Sequence, residues 1–92
     1  MANATPVLRS RNVAYGGVVE MVVWRVPAPV LPSQHAFKYR LVFVRAGKRI
    51  VGYDNERGKG DHRHLVGQES SYRFLDVETL IRDFLVDVEA NR

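Results

Sequence analysis

The steadiest alternation of apolar and polar positions runs from Phe37 to Arg45. Phe37, Tyr39, Leu41 and Phe43 alternate with Lys38 and Arg40, a period of two that predicts a strand with one aromatic face. Val18–Val26 is rich in β-branched residues and holds Trp24. It predicts a strand that is apolar on both faces apart from Glu20. Val7–Val13 mixes apolar and basic residues and reads as an edge strand. Between these two lies Ala14-Tyr15-Gly16-Gly17. Its Gly-Gly pair predicts a tight hairpin, because both central positions accept positive φ. Pro27, Pro29 and Pro32 end Val18–Val26, since proline cannot donate to a ladder, and they leave 27–36 as a loop. Ala46-Gly47-Lys48 turns the chain into a returning strand, Lys48–Tyr53. The polar stretch 54–64, with Gly58 and Gly60, reads as a loop whose end opens a short strand at His62–Val66. Gly67–Ser71 reads as a turn, and Tyr72–Phe74 as a last short strand.

The period changes after Leu75. Val77, Leu80, Ile81, Phe84, Leu85 and Val88 recur at the spacing of one helical face. Asp76 predicts the N-cap, Leu75 with Leu80 a hydrophobic staple, and Glu78 suits the positive helix N-terminus. The reading is α+β: an antiparallel sheet of four to five strands with one C-terminal helix on one face. A single domain spans 1–92, with hairpins at about 7–26 and 37–53, the polar loop at 54–64 and the helix at about 76–90. The aromatic face of Phe37–Phe43 is the expected seat of the helix.

A chain of 92 residues buries only about 60–65% of the surface it exposes unfolded, so its core is thin and a second copy or a partner would add stability. There is no cysteine. Disulfide frameworks, cysteine metal sites and cysteine nucleophiles are therefore excluded, in keeping with a reducing, cytoplasmic setting. No apolar run approaches the roughly 20 residues of a membrane span, and Met1–Pro6 lacks the charged-then-apolar pattern of a secretory signal.

Charge is unevenly spread. Residues 1–35 carry +2, residues 36–75 carry nine Lys or Arg against four acids, and residues 76–92 carry −3. The basic middle points to an anionic partner such as RNA or DNA, or to an ordinary solvated surface. Lys38 and Arg40, with Arg9, Arg11 and Arg25, either line a phosphate-binding face or protect strand edges. Trp24, Phe37, Tyr39 and Phe43 read as core, with a base-stacking platform as the alternative.

The densest polar segment runs from Tyr53 to His64. His62 and His64 are two apart, so on a strand both imidazoles share one face and Arg63 points to the other. Histidine exchanges protons near neutrality. Two on one face would serve RNA cleavage, one taking the proton of the ribose 2′-hydroxyl and the other protonating the leaving oxygen. Lys59 or Arg57 would balance the charge that builds on the phosphate, with Asp54 or Asp61 orienting an imidazole. Arg57 and Arg63 join Lys38 and Arg40 as candidate nucleic-acid contacts. This chemistry needs no metal and no cofactor. A site for one divalent ion, His62 and His64 with Asp61, Asp54 or Glu56, is the alternative. No phosphate-binding loop, dinucleotide fingerprint, His-Glu-x-x-His pattern or nucleophile elbow occurs.

Val23-Trp24-Arg25-Val26-Pro27, Lys38-Tyr39-Arg40-Leu41, the segment Tyr53–His64 and Tyr72-Arg73-Phe74 before an acidic helix together resemble the TumE-like family of small bacterial toxins. The specific part is Tyr53-Asp54-Asn55 followed by Gly60-Asp61-His62-Arg63-His64, and the resemblance covers about residues 15–90. It implies the toxin of a type II toxin–antitoxin system, held by a cognate antitoxin protein, and such toxins are often ribonucleases. Carried over by position, it adds Tyr53 and Asn55 to Asp54, His62 and His64. Apart from the resemblance, an exposed edge strand leaves a homodimer open. A non-catalytic nucleic-acid-binding or protein-interaction module is the competing reading.

Overall fold

The computed structural model describes residues 3–92, so the first two residues of the Met1–Pro6 stretch lie outside it. Six strands follow in chain order: β1 (Thr5–Ala14), β2 (Gly17–Arg25), β3 (Phe37–Arg45), β4 (Lys48–Glu56), β5 (Gly60–Leu65) and β6 (Gln68–Ser71). They form one antiparallel meander in the order β1-β2-β3-β4-β5-β6, and the chain closes with α1 (Val77–Ala90). The α+β reading with a C-terminal helix stands, with six strands rather than four to five.

Three two-residue turns set the registers. Tyr15-Gly16, Ala46-Gly47 and Val66-Gly67 all have positive φ at both positions, the geometry whose twist matches the flanking strands. The first hairpin therefore turns one residue earlier than the Gly-Gly reading expects. Gly17 is already in β2, and its role is close approach: a Cβ there would lie 2.2 Å from the Val44 carbonyl oxygen. The third turn corrects two expectations. Gln68–Ser71, read as a turn, is the edge strand β6, and Tyr72–Phe74, read as a strand, is irregular. A strand made of Gln-Glu-Ser-Ser is exposed on both faces, so no apolar alternation announces it. The polar stretch 54–64 is also not a loop. It continues β4 to Glu56, turns at 57–59 and enters β5 at Gly60.

The helix lies over β3 and β4. Asp76 caps it as expected, its Oδ1 accepting the Thr79 N–H at 2.7 Å. Leu80, Phe84 and Val88 are fully buried against Val23, Tyr39, Leu41, Phe43, Val51 and Tyr53, and the ring of Phe84 meets Tyr53 edge-on at 6.0 Å. Leu75 is 62% exposed, so the expected staple with Leu80 is not made. Polar ties complete the docking. Asp87 accepts the Tyr53 hydroxyl at 2.5 Å and two Arg63 N–H groups at 2.7 and 2.9 Å, while Asp83 accepts the Tyr72 hydroxyl at 2.6 Å. Burial and then these hydrogen bonds to carboxylates push the Tyr53 and Tyr72 phenols well above their ordinary pKa. Among the described residues, no helix is long and apolar enough to cross a membrane.

Candidate functional site on the open sheet face

The single helix leaves the other face of the sheet uncovered. Side chains of one face recur at every second residue, and the registers align them. Arg9, Val22 and Arg40 stand across from one another on β1 to β3, followed by Asp54 and His62 on β4 and β5. Arg11, Glu20, Val42, Gly52 and His64 form the parallel row. Trp24 and Lys38 pair on this face too. Of the four aromatics read as core or platform, Phe37, Tyr39 and Phe43 face the helix side and only Trp24 faces outward. The cations are partly neutralised, with Glu20 3.6 Å from Arg40 and 4.0 Å from Arg11.

His62 and His64 share this face, and Arg63 points to the opposite one, where it binds Asp87. The two imidazoles have unequal surroundings. His62 is buried. Its Nδ1 lies 3.1 Å from the Gly60 carbonyl oxygen, and its Nε2 meets Asp54 Oδ1, with Glu69 Oε2 at 3.5 Å. Both nitrogens are therefore engaged. The His64 ring is hydrogen-bonded by Arg49, whose guanidinium donates to Nδ1 at 3.1 Å. A guanidinium has no acceptor, so this contact leaves the proton on Nε2, which has no protein partner among the described residues. Gly52 permits the contact: a Cβ there would lie 3.0 Å from the Arg49 side chain, which crosses β4 toward His64.

The remaining expected residues divide between the faces. Asp54 joins His62 directly. Lys59, in the β4–β5 turn, reaches Glu69 at 3.5 Å, beside His62. Lys38 is on the open face and donates to the Asn55 carbonyl. Arg40 stands opposite Asp54. Arg57 is exposed at the turn. Tyr53 and Arg63 are on the helix face, where their polar atoms hold α1, so the sheet separates them from the histidines. Asn55 is fully buried and structural. Its side chain accepts the Tyr39 N–H at 3.0 Å and donates to the Phe37 carbonyl at 2.8 Å.

A second polar cluster on the helix face was not legible from spacing. Asp61 accepts the Ser33 hydroxyl at 2.5 Å, the His35 Nε2–H at 2.6 Å and the Tyr39 hydroxyl at 2.7 Å. The His35 tautomer follows from its other nitrogen, which accepts the Phe37 N–H at 3.2 Å. Its ring stacks on Phe74 at 3.8 Å. Burial alone would raise the Asp61 carboxyl, but the bonds from Ser33, Tyr39 and His35 outweigh it and hold the group below its ordinary value. Asp61 does orient an imidazole, but that of His35. Every ring nitrogen in the cluster is bonded within the protein, so it acts as a clamp fixing the 27–36 loop against the β4–β5 turn. The same turn donates from Gly58 N–H to the Leu31 carbonyl at 2.9 Å.

A family model described as Toxin TumE matches residues 3–92. No curated protein and no solved structure matches the chain.

Proposed function

The chain belongs to the TumE toxin family, and from that premise we propose that it acts on RNA across the open face of the sheet. The observation that carries this reading is the joint placement on that face of His64, the His62–Asp54 pair and a row of cations. Arg9, Arg11, Lys38 and Arg40 run along the sheet toward the two histidines, a track that suits a ribose-phosphate backbone. Trp24 beside Lys38 offers an unpaired base a ring to stack on.

The cleavage is a transesterification. The ribose 2′-oxygen bonds to phosphorus, the bond from phosphorus to the 5′-oxygen breaks, and one proton leaves the 2′-oxygen while another arrives at the 5′-oxygen. When a phosphate draws the Arg49 guanidinium away from Nδ1, His64 takes up a proton there, and as the imidazolium it gives the Nε2 proton to the departing oxygen and returns to the neutral ring. The carboxylates gathered at His62 receive the proton from the 2′-hydroxyl. Arg49, released from His64, stabilises the charge that develops on the phosphate. As a toxin of a toxin–antitoxin pair, the protein is held inactive by an antitoxin that covers this surface or closes access to it.

The test is purified protein incubated with 5′-labelled single-stranded RNA. Ladder products ending in a 2′,3′-cyclic phosphate are expected from the native chain, with loss of about 100-fold or more in rate for His64→Ala. Intact RNA after incubation with folded protein would leave binding without cleavage as the activity.

A further inference from the structure

We propose that Asp54, Glu56 and His62 bind one divalent first-row cation at the β4–β5 corner of the open face. Asp54 and Glu56 are two apart on β4 and share that face, and His62 is the register partner of Asp54. One ligand atom from each of the three lies within 4.8 Å of the others. Ligands held at about 2.0–2.2 Å from one ion sit roughly 3–4 Å apart, so the Asp54–His62 contact opens by about an ångström to admit the ion, and a rotation of the exposed Glu56 side chain closes the set.

The environment of His62 is that of a ligand. Metal-binding histidines donate the second ring N–H to a carbonyl or carboxylate, which fixes the ring and turns the other nitrogen's lone pair toward the ion. The Gly60 carbonyl does this for Nδ1 at 3.1 Å. On the other side Nε2 is met by Asp54 and, at 3.5 Å, by Glu69. One N–H can only be shared between carboxylates arriving from two strands, whereas a dication among them offsets the charge of both. The imidazole side chain is only 9% exposed, so the nitrogen is held rather than hydrated. A shallow cavity of about 300 Å³ lined by Lys59, His62, Glu69 and Ser71 opens beside His62.

Two carboxylates and one imidazole suit Mn²⁺ well and Zn²⁺ also. The site itself is independent of the ribonuclease reading. Its role rests on that reading: the ion stands beside His64, where it offsets charge on a phosphate oxygen and eases loss of the 2′ proton. The two-histidine chemistry expected from spacing is then divided, with His62 as ligand and His64 as proton donor.

The experiment is Mn²⁺ binding to chelator-stripped full-length protein, read by calorimetry and by the electron paramagnetic resonance of free Mn²⁺. One ion per chain is expected, with a rise in melting temperature on addition. Glu56→Gln, an exposed change that leaves the fold intact, and Asp54→Asn should each weaken binding by about tenfold or more, while His64→Ala leaves it unchanged. Absence of binding to the folded native chain at millimolar Mn²⁺, or equal binding by both carboxylate variants, would overturn the site. Binding without RNA cleavage keeps the site and removes the ribonuclease reading, whereas binding together with cleavage that continues undiminished in chelator keeps the site and overturns its role in cleavage.

Discussion

Asp54 and His62 face each other directly across β4 and β5, and the carboxylate meets Nε2 on the face that the helix leaves open. Their chain neighbours Tyr53 and Arg63 are also register partners, but on the other face, where Asp87 binds both. One pair of strands thus serves two purposes through its pleat. From Val51 to Glu56 and along β5, odd positions face the helix side and even positions build the polar surface.

The open face makes charge reversal informative. Arg40→Glu changes an exposed side chain opposite Asp54 and should not disturb the core. Filter binding of single-stranded RNA at a series of salt concentrations should show weaker affinity and a shallower slope. Each phosphate contact removed lowers the slope by about 0.7. An unchanged slope would remove this face from the RNA path.

Asp87 is the polar anchor of the helix. Asp87→Ala leaves the buried Tyr53 hydroxyl only the long contact to the Asp83 carbonyl at 3.4 Å, while Arg63, with its side chain 34% exposed, regains water. The cost is therefore about 1–3 kcal/mol, set mainly by the phenol. Thermal unfolding should fall by roughly 4–8 °C per kcal/mol in a domain of this size. A melting temperature unchanged within about 2 °C would mean that Asp87 adds nothing net to the hold on α1.

Asp61 sets an acid limit on stability. Its folded-state pKa lies below the ordinary 3.8, so its contribution is present above that value and is lost as pH falls through the folded value. His35, Tyr39 and Ser33 are the groups that face it. Melting of the native chain and of Asp61→Asn should differ clearly at pH 6 and converge as pH drops below about 3.8. A difference that stays constant to pH 2 would place the effect in packing instead.

Much of the fold follows from pattern alone. The aromatic alternation of Phe37–Phe43 places β3, and the helical spacing of Leu80, Phe84 and Val88 gives the helix and its buried face. The common face of His62 and His64 is also legible, because a period of two needs no tertiary information. The edge strand Gln68–Ser71 is hidden because neither face is buried, so its pairing leaves no trace in residue choice. The Ser33–His35–Asp61 cluster is hidden for another reason. Its members lie 26 and 28 positions apart in the chain, and only the meander's return brings them together. The division of labour between Tyr53 and Asp54 is visible in principle from their opposite parity, once β4 is known to run on to Glu56.

The most direct test of the toxin reading is growth of a bacterial host after induction of the native chain, beside His64→Ala at equal protein levels. His64 supports no part of the core, so its loss leaves the fold in place and removes only the proton donor of the open face. Arrest by the native chain and growth restored with His64→Ala are the expected results. Arrest that persists undiminished in the variant would contradict the assignment of the toxin's activity to this site.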